Sequence, residues 1–316
     1  MRKAIAYFCL YYITVGKIIK FIFFGNYFVG ILSIALSLET AFQLRLPFNS
    51  IIYYALLFCG TVMYYTYAYA EPLQSFSLHN PRSAWYIQHH VLVQYTQWIL
   101  LFICVMLGCA MLFDDYQNLL HMPFQYWFII IVMTLSATLY YGLLPRSFFK
   151  LNLRNTGWVK AFVIGFVWAC SVSLLPLIVL YLERGYYHID PILVLALFIK
   201  NWMFCTVNAI MFDMKDYEDD SNHQLKTFVV RFGLTNTIFF ILIPLSLIGI
   251  FFLFAFAQYR HFTFLPVFFN LIPFLLLLLV TYSMQRQKKI LYYLIVIDGL
   301  ILIKAICGII AMQFVK

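Results

Sequence analysis

The chain has 316 residues, of which 64% are hydrophobic and only 10% are charged, and its mean hydropathy is +0.89. Because a soluble globular protein carries roughly 25% charged residues, this composition excludes a soluble protein and indicates one that lies mostly in lipid. The formal charge of +9 does not indicate nucleic acid as a partner, since Lys and Arg are scattered between apolar segments and form no compact basic stripe. Anionic lipid is the partner that these charges fit.

The first 20 residues begin like a signal peptide, with Arg2 and Lys3 followed by an apolar run to Val15. No small-residue cleavage site follows, and Lys17 and Lys20 come next. We therefore predict that residues 1–20 form an interfacial helix at the cytoplasmic surface.

Nine later segments are apolar over about the 20 residues that a transmembrane helix needs. They are 21–44, 50–70, 92–113, 122–142, 158–181, 191–211, 236–257, 262–282 and 288–313. Stretches such as Leu271 to Val280 are apolar on both parities, which excludes the alternating strands of a β-barrel. The sequence predicts an all-α membrane protein: a single polytopic domain over 1–316 with about nine transmembrane helices.

The distribution of Lys and Arg predicts the orientation, because cytoplasmic loops carry an excess of both. With the N-terminus inside, fifteen of the 21 lie on the cytoplasmic side and four, Arg45, Arg184, Arg260 and Lys316, lie opposite. This bias places the N-terminus inside and, after an odd number of spans, the C-terminus outside. A bacterial inner membrane is the expected location.

Two of the predicted cytoplasmic loops are long, 71–91 and 212–235, and they lie four helices apart. This spacing is that of two four-helix repeats plus one helix, with equivalent loops that cap a shared cavity.

The second of these loops is rich in acids. Five of the twelve acids of the chain lie between Asp213 and Asp220. If the sixth helix continues through this run, Asp213, Asp216 and Asp220 fall within about 60° of one another on one face. Three such carboxylates repel unless cations neutralise them, and Mg²⁺ is typically held by carboxylates together with substrate phosphates. The spacing predicts a Mg²⁺ site for a diphosphate. A solvated helix end that pairs with Lys215 or Lys226 is the alternative.

The run Asp213-x-x-Asp216-x-x-x-Asp220, followed by the stretch from Lys226 to Gly233, resembles the second aspartate motif of the UbiA-type intramembrane prenyltransferases. In that family a D-x-x-D-x-x-x-D run leads into a Thr-Leu-x-x-x-x-Gly stretch. The resemblance implies transfer of a polyprenyl group from its diphosphate to a lipid-soluble, commonly aromatic, acceptor, with Mg²⁺ held by two aspartate motifs. Asp213, Asp216 and Asp220 would be the second set of ligands. No catalytic residue is assigned.

The first motif of the family, N-D-x-x-D-x-x-x-D, would lie at the end of the second span and in the 71–91 loop, where this chain has no aspartate. Glu71 and Asn80 are the partial substitutes there, and Arg82 matches the basic residue that follows the motif and faces phosphate. The resemblance also assigns diphosphate contacts to basic residues, here Arg146, Lys150 and Lys226. The alternative is that these basic residues contact only anionic lipid and not a diphosphate.

Several ionisable residues lie within predicted spans, and three of them bear on function. An acid inside a span is a functional hypothesis by default, and Asp298 lies in the ninth. Lys304, six residues on, is turned by about 240° and is not expected to pair with it. Lys200 either faces the cavity or extends to the membrane surface.

Three functions are compatible with these observations. The first is a Mg²⁺-dependent prenyltransferase-like enzyme. The second is a non-catalytic relative that binds isoprenoid lipid or a membrane partner, since the first motif has lost its aspartates. The third is a small-solute transporter, although the acids lie at the membrane edge rather than at the midplane where transporters usually bind.

Overall fold

A computed structural model describes residues 16–70, 81–141, 157–185, 189–215, 217, 226–286 and 288–315. Every regular element in these ranges is helical. We number the helices in chain order. They are α1 (16–24), α2 (Tyr27–Leu44), α3 (Ile51–Ala70), α4 (Pro81–Gln88), α5 (His90–Asp114), α6 (Tyr116–Leu120), α7 (Phe124–Tyr141), α8 (Val159–Arg184), α9 (Pro191–Lys215), α10 (Phe228–Phe232), α11 (Leu234–Tyr259), α12 (Phe264–Ser283) and α13 (Ile290–Met312).

Eight of the described helices are long and apolar enough to cross a membrane: α2, α5, α7, α8, α9, α11, α12 and α13. The apolar part of α3, Ile51–Tyr67, is slightly shorter than these. The prediction of an all-helical, multi-pass membrane protein with about nine spans is therefore confirmed. Its orientation and its division into two repeats remain predictions.

The first span begins later than predicted. A break at Gly25-Asn26 separates α1 from α2, and Asn26 has the left-handed φ of 63°. Hydrophobicity gives no sign of this break, because the residues on both sides of it are apolar. Of the predicted interfacial helix, residues 1–15 lie outside the described residues.

Helix α9 lies at the centre of the bundle and contacts α8, α11 and α13. Helix α12 packs between α11 and α13, and α13 also packs on α2. Helix α2 contacts α3, and α3 contacts α5. Helix α7 contains no buried residue, and only 11% of the apolar window of α5 is buried. These two helices therefore form the lipid-exposed side of the bundle.

Three buried charges join α2, α9 and α13 within the apolar core. Glu39 accepts from Lys304 at 2.5 Å through Oε2 and from Lys200 at 3.4 Å through Oε1, and all three residues are at most 2% exposed. Lys200 therefore does not extend to the membrane surface. Gly308 lets Glu39 approach α13, since a Cβ at residue 308 would lie 2.6 Å from Glu39 Cγ.

The described residues that flank both predicted cap loops meet at one end of the bundle. Helices α3, α7, α9 and α12 end there, and α2, α5, α8, α11 and α13 begin there. We call it the motif end. Each of the two loops contains a short described helix, α4 in the first and α10 in the second.

Candidate functional site

The structure describes three of the predicted site residues, Arg82, Asp213 and Lys226. All three lie at the motif end. The other predicted ligands and contacts lie outside the described residues: Asp216, Asp220, Arg146, Lys150, Glu71 and Asn80.

Asp213 lies in the last described turn of α9, where it is ion-paired with Lys160 in the first turn of α8. The distance from Lys160 Nζ to Asp213 Oδ1 is 2.9 Å, and the two side chains are only 12% and 8% exposed. The pair forms because α8 and α9 pack closely. Deeper in the bundle Gly165 on α8 faces Thr206 on α9, and a Cβ at residue 165 would lie only 2.2 Å from Thr206 Oγ1. The sequence places Lys160 in a basic loop, 143–160, that could contact diphosphate or anionic lipid, but it does not predict this ion pair, which depends on the packing of two helices.

Arg82 in α4 is buried at the motif end, with 7% of its surface exposed. Its Nε and Nη2 donate to Phe24 O at 3.3 and 3.1 Å, Nη2 also donates to Asn26 Oδ1, and the guanidinium lies 4.5 Å from the centre of the Tyr69 ring. Burial alone would lower the pKa of Arg82, but the tyrosines beside it and Asp298 outweigh burial and raise the pKa. Arg82 is therefore a permanent cation that holds the break between α1 and α2.

Asn26, Tyr86 and the end of α3 complete a polar network around Arg82. Asn26 Nδ2 donates to Thr66 Oγ1 and to Tyr86 Oη, both at 3.1 Å. The Tyr86 hydroxyl in turn donates to Phe24 O, and its ring stacks on that of Tyr69 with centroids 4.5 Å apart. We call the residues Asn26, Thr66, Tyr69, Arg82 and Tyr86 the Arg82 cluster. It fixes α4 against the end of α3, the position that the first motif of the family would occupy.

The Thr and Gly of the second motif have conformational roles. Thr227 is the N-cap of α10, where its Oγ1 accepts from Val230 N at 3.3 Å. Gly233 has a φ of 79°, which favours glycine, and it lets the chain turn from α10 into α11. Lys226, just before the cap, is exposed at the same end of the bundle.

A cavity of about 480 Å³ lies between α2, α3, α7 and α8. Its lining is largely apolar and includes the aromatic rings of Tyr64, Tyr65 and Trp168. Ile164, one turn after Lys160 on α8, lines it as well. The cavity therefore lies in the apolar part of the bundle and comes within about one helical turn of Lys160.

The donor chemistry of the motif end suits a hard cation, because Asp213 and the rest of the acidic run offer carboxylate oxygens. Among the described residues no three His, Cys, Asp or Glu side chains lie close enough together to hold a metal ion. A complete ligand set would need Asp216 and Asp220 as well.

Comparison with protein families identifies the family of the chain. The model of the UbiA prenyltransferase family matches residues 78–297, which is more than two thirds of the 316 residues. The match includes α4 with Arg82, the acidic run and the Thr–Gly stretch. No curated protein and no solved structure matches the chain. The match over most of its length shows that the chain belongs to the UbiA prenyltransferase family.

Proposed function

We propose that this integral membrane protein is a prenyltransferase that moves a polyprenyl group from its diphosphate to a lipid-soluble acceptor. The observation that carries the proposal is a largely apolar, aromatic-lined cavity that begins about one helical turn from the Lys160–Asp213 pair, in a chain of this family. Such a site suits an amphiphile that has an anionic head and an isoprenoid tail. An aromatic acceptor suits the family, and a bacterial inner membrane with the motif end toward the cytoplasm suits the distribution of Lys and Arg.

Asp213, Asp216 and Asp220 are the residues proposed to hold Mg²⁺, which members of the family generally bind through aspartate motifs. A carboxylate has about four lone-pair sites, so Asp213 is able to accept from Lys160 and to bind a cation as well. The ion would supply electrostatic stabilisation of the leaving diphosphate as its C–O bond breaks.

Basic side chains are proposed to bind and orient the diphosphate. Lys160 lies one helical turn before Ile164, which lines the cavity, and it pairs with Asp213; we propose that it supplies a point charge. Arg82, Arg146, Lys150 and Lys226 are the other candidates. Arg82 donates mainly to protein acceptors, which suits a role in shaping the site and adding long-range positive charge.

Aromatic rings of the cavity are proposed to face the prenyl group. Trp168 Nε1 donates to the Tyr65 hydroxyl, which fixes both rings in the wall of the cavity. The π faces of such rings attract cations and would shield an allylic cation from water.

The test is transfer of a labelled prenyl group by the purified full-length chain in lipid, with several prenyl diphosphates and with and without Mg²⁺. We expect transfer that a chelator abolishes and that Asp216→Ala and Asp220→Ala each abolish. Asp114→Asn, an exposed acid at the end of α5 away from the motif end, is the control and should retain full activity. Full activity in both alanine variants would exclude these aspartates as ligands.

A non-catalytic relative that binds isoprenoid lipid is the second candidate. Two observations favour it: Lys160 neutralises Asp213 without any metal, and no aspartate lies between Thr66 and Arg82. Mg²⁺-dependent release of diphosphate from a prenyl diphosphate by the purified protein would exclude this function.

A further inference from the structure

Tyr65 on α3 and Trp168 on α8 form a hydrogen-bonded pair in the wall of the cavity. The indole Nε1–H of Trp168 is a donor only, so it donates and the Tyr65 hydroxyl oxygen accepts. The centroids of the two rings lie 6.1 Å apart. The chemistry of the two groups therefore fixes the direction of this bond, which occupies one lone pair of the Tyr65 hydroxyl.

The O–H of Tyr65 is still available as a donor. A phenolic hydroxyl donates one hydrogen bond in addition to those that it accepts. Among the described residues, the bond from Trp168 is the only hydrogen bond of the Tyr65 hydroxyl. A tyrosine hydroxyl that lies away from bulk water usually has a partner for its hydrogen, because an unsatisfied donor is unfavourable there. A ligand in the cavity can supply the acceptor atom.

Four other hydroxyls in the wall of the cavity already donate to the protein. Each of them donates to a backbone carbonyl: Ser33 to Gly30 O at 2.8 Å, Thr61 to Leu57 O at 2.7 Å, Tyr64 to Ala137 O at 3.1 Å and Ser171 to Val167 O at 2.8 Å. Their hydrogens are therefore not available to a ligand. Tyr65 differs from all four, including its neighbour Tyr64, in having a donor left.

The position of Tyr65 suits the acceptor better than the diphosphate. Lys160, Ile164 and Trp168 lie at i, i+4 and i+8 on one side of α8, and Trp168 is about 12 Å from Lys160 along the helix axis. On α3, Gly60 lines the cavity more than one turn farther from the motif end than Tyr65. An oxygen atom bound to Tyr65 would therefore lie between Lys160 and the deeper, apolar part of the cavity.

We infer that the Tyr65 hydroxyl donates a hydrogen bond to an oxygen atom of the lipid-soluble acceptor and so selects acceptors that carry a carbonyl, ether or hydroxyl oxygen. This inference rests on the proposed function, because it concerns the second substrate of that reaction. Tyr65 is then a specificity-determining residue, since an acceptor without such an oxygen leaves the donor unsatisfied and binds less well. In a lining that is largely apolar, one fixed donor also orients the acceptor.

The test uses two lipid-soluble probes of similar shape, the ketone α-tetralone and the hydrocarbon tetralin, which lacks the carbonyl oxygen. Binding of each radiolabelled probe to the purified full-length protein in lipid nanodiscs is measured, and binding to empty nanodiscs is subtracted. We expect Tyr65→Phe to weaken binding of α-tetralone by about tenfold and to leave tetralin within about twofold of the wild type. Tyr64→Phe, which removes a hydroxyl that already donates to α7, is the matched control and should keep the preference for the ketone.

The double variant Tyr65→Phe/Trp168→Phe guards against misfolding, because it leaves no indole N–H without its acceptor, and it should show the same loss for the ketone. Equal losses for both probes, unchanged affinity of Tyr65→Phe for α-tetralone, or no binding of α-tetralone by the wild type would each overturn the inference. Weaker binding of inorganic pyrophosphate by Tyr65→Phe would also overturn it, since the hydroxyl would then contact the diphosphate. Because no prenyl group is transferred in these measurements, a protein with the expected preference but no transfer contradicts only the proposed transferase activity.

Discussion

The ion pair between Lys160 and Asp213 couples the stability of the motif end to its chemistry. Both side chains are nearly buried, so each neutralises a charge that would otherwise lack a counter-ion in a place with little water. Asp213 belongs to the acidic run that the sequence identifies, whereas Lys160 lies 53 positions earlier and shares no motif with it. The ion pair thus joins a predicted ligand, Asp213, to Lys160, and only the packing of α8 on α9 identifies Lys160 as its partner.

Replacing Lys160 by methionine should destabilise the protein and reduce prenyl transfer. The variant leaves Asp213 buried without its cation, and breaking a buried pair in this way costs about 3–5 kcal/mol. Thermal unfolding in detergent and prenyl-transfer rates measure the two effects, with the exposed Lys20→Met on α1 as the control. The double variant Lys160→Met/Asp213→Asn should regain stability but not activity. A melting temperature of Lys160→Met equal to that of the wild type would contradict the pairing.

At the scale of helices, glycine decides how closely α8 and α9 approach. Gly165 faces Thr206, and a Cβ at residue 165 would lie 2.2 Å from its Oγ1 and 2.8 Å from its backbone nitrogen. The backbone cannot yield as the end of a flexible side chain would, so any larger residue must move the two helices apart.

We therefore expect Gly165→Ala to lower the melting temperature and prenyl transfer together, because it separates Lys160 from Asp213. Gly108→Ala on the lipid-exposed α5 is the matched control, since nothing lies within 4 Å of a Cβ at residue 108. Alanine there should raise helix stability by up to about 1 kcal/mol. Equal melting temperatures for the two variants would show that the α8–α9 contact is looser than described.

The buried charges of Glu39, Lys200 and Lys304 hold α2, α9 and α13 together at a second point. Glu39→Gln should strongly destabilise the protein, because two buried ammonium groups then share no anion. Replacing all three residues by leucine or methionine should restore stability to about the wild-type level, as apolar substitutes for buried ion networks often do. Unfolding in detergent measures both. If the triple variant is as unstable as Glu39→Gln, the cluster has a role beyond pairing charges.

At the scale of the whole molecule, the sequence predicts the helical bundle well and the site in part. Apolar runs of about 20 residues have one stable structure in lipid, so the spans follow from hydrophobicity alone. Hydrophobicity does not predict the break at Asn26 or the ion pairs of Glu39 and Lys160, because these features depend on partners from distant helices. Helical spacing within one helix selects Asp213 as a candidate ligand, and that role stays a prediction, whereas the position of Asp298 on the face of α13 near the Arg82 cluster requires the packed bundle.

The cavity between α2, α3, α7 and α8 should set which prenyl chain lengths the protein accepts. Gly60 on α3 lines it, and nothing lies within 4 Å of a Cβ at that position, so a side chain at residue 60 would start in open space at the wall of the cavity. We expect Gly60→Phe to raise KM for long prenyl diphosphates by about tenfold or more while short ones change little, since a filled cavity excludes the distal isoprene units. Gly108→Phe, which adds the same ring to the lipid-exposed α5, should leave the preference unchanged. Competition between labelled donors of two lengths measures it directly, and an equal loss for both lengths would place the prenyl tail elsewhere in the bundle.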